Sequence, residues 1–468
     1  MSDVAGVFDA RERALVIGLG RSGIASCTVL RARGATVFAT DEKPPELLTE
    51  TIEQLAALGV RFVRPADLGT IVDQVTVGVL SPGIPLNGAL VRRIQAASLP
   101  IYSEIEVAYR ICRAPIVAVT GTKGKTTTTS LIGAMFRSAG KVTRVGGNIG
   151  NALINETAAA APSDWVIAEV SSFQLESIRS FKPRISTIIN LSPDHLDRYH
   201  SMDEYAEAKY RVFANQGPGD VFVGNFDDPY VAALTSEENS KRIGARTLWF
   251  AREHRREAAL YLRDEHIVYA PPTGDPRPYA IMPVAEIPLL GAHNVANVMA
   301  ALLVGLAAEL DPPALRAAVR DFSALPHRLQ PVAEADGVLY VDDSKSTNPG
   351  SVVAALTSFE RPIVLIAGGK SKRTDFASLR NPVAARTKAV VLIGEAADEI
   401  ARALPGIETI RAQTLDEAVD VARGLAAPGD VVLLSPGCAS FDMFASAEAR
   451  GDAFAAAVCA RLPAAHGR

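Results

Sequence analysis

Cysteine is scarce and scattered. Cys27, Cys112, Cys438 and Cys459 are the only four in 468 residues. They show none of the paired spacings of a zinc site or a disulfide framework, which fits a reducing compartment. A surplus of positive charge is also missing. Lys and Arg number 48 against 52 Asp and Glu, for a net charge of −4, and the pI is about 6.1. A dedicated nucleic-acid binder normally carries the opposite balance. No apolar run approaches the ~18–20 residues that span a bilayer; the longest candidates, such as Ala300–Ala308, read as buried helix. Met1–Arg13 mixes Asp, Arg and Glu without an apolar centre, so no secretory signal is expected. Apolar residues as a class are plentiful, at 48% with 21% charged, which excludes overall disorder. The expectation is a soluble cytoplasmic monomer with no nucleic-acid partner and no membrane insertion. Its length suits about three domains at roughly 150 residues each.

The order of patterns supports that number. Ala14–Gly18 is a short apolar run ending in glycine, Ser22–Arg33 is helical, and Ala35–Thr40 and Val75–Leu80 are strand-like. The pattern restarts at Pro115–Gly121, followed by the helical Lys125–Ala139. Asp164–Val170, Arg184–Asn190, Asp220–Asn225 and Thr247–Ala251 read as strands, and Met202–Phe213 as a helix. Ala258–Ala270 alternates around Arg-Asp-Glu-His, a hairpin signal. A third restart follows Leu325-Pro326, with strands at Val338–Val341, Pro362–Ala367, Ala389–Gly394 and Asp430–Ser435. Strands alternating with helices predict an α/β fold of parallel sheets. The expected domains are 1–103, 104–324 and 325–468.

Two glycine-rich turns carry chemistry. Gly18-Leu19-Gly20-Arg21-Ser22-Gly23 lies between a strand and a helix. Its glycines permit a tight turn and bring backbone N–H groups close to a phosphate. Asp41 ends the next strand, where a carboxylate can meet a ribose hydroxyl. Alone, this pattern also suits a dinucleotide oxidoreductase, or a turn with no ligand. Thr120-Gly121-Thr122-Lys123-Gly124-Lys125-Thr126-Thr127 is more specific. Backbone N–H groups and Lys125 can hold the β- and γ-phosphates of ATP, and a Thr hydroxyl can help bind Mg²⁺. Val119 stands where a full Walker A motif has its first glycine.

With these blocks in place the chain resembles the Mur ligases, the ATP-dependent enzymes of peptidoglycan precursor synthesis. Gly147-Asn148-Ile149-Gly150, Glu169-Val170-Ser171-Ser172-Phe173-Gln174-Leu175, Asp194-His195-Leu196-Asp197-Arg198-Tyr199, Ala208-Lys209, Gly291-Ala292-His293-Asn294 with Asn297, and Pro326-His327-Arg328 match that family in order and spacing. Asp342-Asp343-Ser344-Lys345-Ser346-Thr347-Asn348 and Ser435-Pro436-Gly437-Cys438-Ala439-Ser440-Phe441-Asp442 resemble the branch that adds D-glutamate to UDP-N-acetylmuramoyl-L-alanine.

The resemblance implies an N-terminal Rossmann-like domain for the UDP substrate and a central P-loop ATPase-like parallel sheet. It implies a C-terminal Rossmann-like domain that closes on ATP and the amino acid. It assigns catalytic roles to Lys125, His195 and Lys209, and ATP contacts to Gly121, Thr122, Lys123, Gly124, Lys125, Thr126, Thr127, Asn294, Asn297, Arg328 and Asp343. Gly18, Gly20, Ser22, Gly23, Asp41 and Gly83 fall on the uridine side, and Asn148, Ser171 and Gln174 on the muramoyl side. D-glutamate falls to Lys345, Thr347, Lys372, Ser440 and Phe441, with Lys370 as the alternative to Lys372. Two Mg²⁺ ions are implied, held by Thr126 and Glu169 and by His195 and a carbamylated Lys209.

The residues themselves support part of this. In Met202–Phe213, Tyr205, Lys209, Val212 and Phe213 share one helix face, away from Asp203 and Glu207. Lys209 therefore points with the apolar stripe, unless it snorkels to the surface. Lys123 and Ala447 depart from the family pattern, which often has Asn and an aromatic residue there. An NAD-dependent oxidoreductase leaves Thr120–Thr127 without use. A non-enzymatic switch or UDP-sugar sensor leaves Asp342–Asn348 and Ser435–Asp442 without use. A folylpolyglutamate-type ligase shares the ATP region but lacks the N-terminal loop.

Overall fold

The computed structural model describes residues 8–195, 198–272, 277–371 and 375–462. The chain forms two compact units, Met1–Ile287 with Ala296–Asp321, and Pro288–Val295 with Phe322–Arg468.

The first unit holds two sheets. Strands β1 (Arg13–Ile17), β2 (Thr36–Thr40), β3 (Arg61–Phe62), β4 (Val77–Leu80) and β5 (Ile101–Ser103) form a parallel sheet in the order β3-β2-β1-β4-β5. From Ala14 to Ile17 every residue of β1 is buried, because helices cover both faces and a central parallel strand has no wet side. The second sheet is built from β6 (Ile116–Thr120), β7 (Thr143–Gly147), β8 (Trp165–Glu169), β9 (Ile185–Ile188), β10 (Val221–Asn225), β11 (Arg246–Ala251), β12 (Ala258–Arg263), β13 (His266–Tyr269) and β14 (Tyr279–Pro283). Its order is β14-β13-β12-β11-β10-β9-β6-β8-β7. Strands β7 to β12 run parallel; β13 and β14 are antiparallel additions at one edge. Asp264 and Glu265 close the β12–β13 hairpin with φ of 49° and 56°. Two successive left-handed residues match the twist of the flanking strands.

The second unit carries β15 (Gln330–Ala335), β16 (Val338–Asp342), β17 (Ile363–Gly368), β18 (Thr387–Ile393), β19 (Thr409–Arg411) and β20 (Val431–Leu434). Their order is β15-β16-β20-β17-β18-β19, parallel except for β15. Apolar clusters cover both faces of this sheet.

In both sheets of the first unit the chain leaves the central strand in different directions, β1 lying between β2 and β4, and β6 between β8 and β9. That divergence opens a crevice at the carboxyl ends, where such sheets take their ligands. The marked glycine loops follow β1 and β6. Among the described residues no helix is long and apolar enough to cross a membrane.

Candidate functional site

The loop after β6 is shaped by two glycines that nothing else could replace. Gly121 has φ 147°, and a Cβ there would lie 2.5 Å from Ile189 Cγ1. Gly124 has φ 78°, and its Cβ would lie 2.2 Å from Asn297 Oδ1. Asn190, just past β9, clamps the loop from beneath. Its Oδ1 accepts from the Lys123 amide at 2.9 Å and its Nδ2 donates to the Lys123 carbonyl at 2.9 Å. The Thr122 amide donates to the Asn190 carbonyl at 2.9 Å. The helix Lys125–Ser138 begins immediately after Gly124. Its first turn points backbone N–H groups toward the loop beside Thr126 and Thr127, the geometry of an anion seat. Lys125 Nζ donates back to the Thr122 carbonyl at 2.8 Å.

Glu169 ends β8 and is 2% exposed. Its Oε1 accepts from Asn148 Nδ2 at 2.7 Å, whereas Oε2 is buried and has no partner among the described residues. A buried carboxylate with one oxygen unsatisfied is costly. A hard cation with oxygen ligands satisfies it, so the donor set fits Mg²⁺. Among the described residues no three His, Cys, Asp or Glu side chains gather as a metal cage.

Lys209 lies on the helix Met202–Tyr210, which Arg211–Phe213 extends by a 3₁₀ turn. It is 1% exposed, so it does not snorkel. Its Nζ donates to the Gly121 carbonyl at 2.8 Å and sits 4.8 Å from the centre of the Tyr205 ring. Burial, reinforced by the Lys125 ammonium, holds the Lys209 amine well below the usual lysine range; Asp194 and Glu169 oppose this. The Tyr205 hydroxyl pairs with Thr122 Oγ1 at 3.2 Å, tying this helix to the glycine loop. His195 has φ 54° and a side chain 45% exposed, with Nε2 3.7 Å from Asp194 Oδ2. Lys125, Glu169, Asp194 and Lys209 thus share one electrostatic neighbourhood.

The loop after β1 is equally constrained. A Cβ on Gly23 would fall 1.8 Å from the Gly18 carbonyl oxygen. Asp41 is buried; one of its oxygens accepts from the Leu19 amide at 2.6 Å and the other from the Lys43 amide at 2.9 Å. The carboxylate therefore braces the glycine turn. Ser22 lies in the first turn of the helix Arg21–Ala32, Gly20 precedes that helix, and Gly83 is exposed beyond β4. Past β8, Ser171 and Gln174 are engaged with each other. The Ser171 amide donates to Gln174 Oε1 at 2.9 Å, and the Gln174 amide to Ser171 Oγ at 3.3 Å, capping the turn Ser172–Leu175.

In the second unit, Asp343 follows β16 and is buried. Burial pushes its carboxyl up to about 6, against hydrogen bonds from Ser346 Oγ, Ser435 Oγ and the Leu329 amide. Lys345 pairs with Glu448. Thr347 is half-buried and Arg328 exposed. Asn294 is buried and donates to the Leu290 carbonyl at 2.6 Å. Ser440 is buried, whereas its neighbour Phe441 is 69% exposed. Lys370 is exposed and its backbone pairs with Ala439; Lys372 lies outside the described residues.

Residues 119–305 match the model of the Mur ligase middle domain, and 327–438 that of the Mur ligase glutamate ligase domain. A UDP-N-acetylmuramoylalanine--D-glutamate ligase of Pelotomaculum thermopropionicum is 44% identical over 447 residues, covering 95% of this chain and 96% of that protein. The chain belongs to the Mur ligase family. Its counterpart from Koribacter versatilis is 43% identical over 446 residues, with 95% and 96% covered. Among solved structures, the UDP-N-acetylmuramate-alanine ligase MurC of Thermotoga maritima superposes with a TM-score of 0.59 at 18% identity, covering 96% of this chain and all of that one. MurF of the same organism, in complex with ADP, gives 0.56 at 16% identity, with 84% and 93% covered. These two likenesses carry the fold alone.

Within each unit, several residues that brace these loops have no role assigned by the sequence motifs. Arg450 is 1% exposed. Its guanidinium bonds Ser344 Oγ at 3.0 Å, the Ser344 carbonyl at 2.9 Å and the Cys438 carbonyl at 3.2 Å. It thereby joins the loops after β16 and β20. His327, quoted above only as part of a block, has φ 61° and a 2.7 Å contact from Nδ1 to Asp342 Oδ2. Asn190 and Tyr205 hold the glycine loop after β6. Each works across a long sequence separation, and a lone Arg or Asn in a helix or loop reads as surface.

Proposed function

We propose that this chain is an ATP-dependent ligase that joins D-glutamate to UDP-N-acetylmuramoyl-L-alanine in peptidoglycan precursor synthesis, the reaction for which its relatives are named. The observation that carries the chemistry is the convergence of three features at the carboxyl ends of β6 and β8. These are a glycine-bounded anion seat, a buried amine on Lys209, and a Glu169 carboxylate with one unpaired oxygen.

The reaction proceeds in two steps. The carboxylate of the acyl substrate attacks the γ-phosphorus of ATP, the bond to the β-phosphate oxygen breaks, and an acyl phosphate and ADP form. The D-glutamate amine then adds to the acyl carbon, loses a proton, and phosphate departs as the amide forms. Negative charge gathers on phosphoryl oxygens in the first step, so fixed cations and N–H donors contribute most. Lys125 and the amides of Gly121–Thr127 hold the β- and γ-phosphates, with Asn294, Asn297, Arg328 and Asp343 as further ATP contacts. Thr126 and Glu169 would hold one Mg²⁺, and His195 with Lys209 a second; the ions supply charge neutralisation at the transferred phosphoryl group. The neutral Lys209 amine adds carbon dioxide and loses a proton, becoming a carbamate whose oxygens suit that ion. The uridine side falls to Gly18, Gly20, Ser22, Gly23, Asp41 and Gly83, and the muramoyl side to Asn148, Ser171 and Gln174. D-glutamate falls to Lys345, Thr347, Lys372, Ser440 and Phe441. The functional parts are 1–103 for the UDP substrate, 104–324 for ATP and 325–468 for the amino acid.

Phosphate release is the direct test. With UDP-N-acetylmuramoyl-L-alanine and ATP, release should require D-glutamate and should be absent with L-glutamate, L-alanine or meso-diaminopimelate. Equal turnover with meso-diaminopimelate would overturn the amino-acid assignment.

A further inference from the structure

His195 is a loop residue in a left-handed backbone conformation, φ 54°, which a non-glycine residue adopts only when its surroundings hold it there. Its side chain is half exposed and pairs only loosely with Asp194. A ligand of an ion has to be presented in one orientation, and groups behind it usually do this.

The groups behind His195 converge on Glu176. This carboxylate follows the capped turn Ser172–Leu175. One oxygen meets Arg198 Nη2 at 2.5 Å, and the other accepts from the Tyr199 hydroxyl at 2.5 Å. The backbone amides of these same two residues, Arg198 and Tyr199, donate to the His195 carbonyl at 2.9 and 3.0 Å. The Arg198 guanidinium lies 4.1 Å over the Phe173 ring. Phe173 in turn packs on the imidazole with centroids 4.8 Å apart, and stacks on Tyr199 at 6.1 Å. The backbone contacts to His195 and the Phe173 side of its ring therefore run through Arg198 and Tyr199, which Glu176 holds, while Tyr205 adds a second, edge-on ring contact at 6.4 Å.

We propose that Glu176 is a positioning residue: it fixes Arg198 and Tyr199, and through them the His195 carbonyl and the Phe173 ring that set the imidazole in place. The proposal rests on the reading of His195 as a ligand of an active-site ion. Removing the carboxylate frees two side chains at once, while the sheet and the ATP-side glycine loop keep their own contacts. The loss should therefore appear as reduced order at His195 and a weakened affinity for the ion.

The test compares the wild type with Glu176→Ala, Glu176→Gln and His195→Asn. The metal-free full-length proteins, labelled with ¹⁵N-histidine, give imidazole spectra in which His195→Asn identifies the His195 signal among the seven histidines. In Glu176→Ala that signal should shift and broaden while the other six hold. In Glu176→Gln the change should be smaller, because the amide oxygen still accepts from Tyr199. In turnover assays, the half-saturating Mg²⁺ concentration should rise about tenfold in Glu176→Ala, the low end for groups behind a metal ligand. kcat should be largely recovered at saturating Mg²⁺. An unmoved His195 signal in a folded Glu176→Ala protein overturns the proposal, as does a uniform loss of kcat at every Mg²⁺ concentration. If Glu176→Ala does not fold, Arg198→Met with Glu176→Gln decides the same points. A His195→Asn protein with wild-type Mg²⁺ dependence overturns the ligand reading instead, and the metal-free spectra still decide whether Glu176 positions the ring.

Discussion

Replacing Lys209 by Met separates stability from function at one buried atom. The amine is 1% exposed and its described hydrogen bond is the one to the Gly121 carbonyl. Methionine keeps an unbranched stem of similar length and removes the polar end. The lost hydrogen bond costs about 1 kcal/mol, and relief of the remaining unpaired donors returns ~1–3 kcal/mol. In carbon dioxide-free buffer the variant should therefore match the wild type or exceed it by up to ~2 kcal/mol. The pH dependence follows from the lowered pKa. Between the folded pKa and the unfolded value of about 10.4 the unfolded chain binds more protons, so wild-type stability rises with pH over that window. Lys209→Met lacks this rise, and its advantage should be largest at low pH and shrink toward pH 10. Urea melts at pH 6 and 9 measure both quantities. Activity should move the other way and fall at least ~10²-fold, the effect of losing one stabiliser of transition-state charge. Wild-type enzyme dialysed free of carbon dioxide at pH 6 should lose activity and regain it with bicarbonate, whereas Lys209→Met should not respond. Lys209→Ala should be nearly inactive and partly restored by a short carboxylic acid. A Lys209→Met protein destabilised by more than ~2 kcal/mol at both pH values, or a wild type indifferent to bicarbonate, would refute the reasoning.

Lys125→Ala should lose ~10²–10³-fold in kcat with an unchanged melting transition; near-normal turnover would remove the phosphate-holding role of the Lys125 amine. Asp343 carries the opposite pH signature to Lys209. Its carboxyl stands at about 6 against 3.8, so the folded chain holds a proton that the unfolded chain has lost, and stability falls as pH rises from about 4 to 6. At 1.36 kcal/mol per unit this is ~3 kcal/mol. Asp343→Asn should gain on the wild type by that order between pH 4 and 7.5, and a difference constant across that range would count against the buried carboxylate. Glu106 accepts from the amides of Arg179, Ser180 and Phe181 and from the Ser180 hydroxyl and Arg110. Although burial acts to raise its pKa, these bonds hold it below the usual value, so its contribution is present above pH ~4.5 and lost on acidification. Glu106→Gln turns an amide NH₂ toward these donors and should cost about 2–4 kcal/mol near pH 7, with kcat per folded molecule unchanged; a cost below ~1 kcal/mol would sink that account.

Wherever function depends on a local backbone pattern, the amino-acid order already contained it. An apolar run ending in glycine and followed by a helix start announces β1 with Gly18–Gly23 and β6 with Gly121–Gly124, because a buried parallel strand and a close-approach turn each restrict the residues that fit. The buried face of Lys209 follows from the spacing of Tyr205, Val212 and Phe213, and the β12–β13 hairpin from alternation around Asp264 and Glu265. Short strands such as β3, β5 and β19, of two or three residues, carried too few residues to show a period and exist because a neighbouring strand pairs with them. The placement of β6 between β8 and β9, which brings Asn190 under the glycine loop and Glu169 beside it, needed the tertiary structure. So did Arg450 bridging Ser344 and Cys438, the pairing of Lys345 with Glu448, and the convergence of Arg198 and Tyr199 on Glu176. These contacts join residues up to 106 positions apart. No local preference of either partner records such a contact, because its energy comes from burial and hydrogen bonding that exist only once the sheets have assembled.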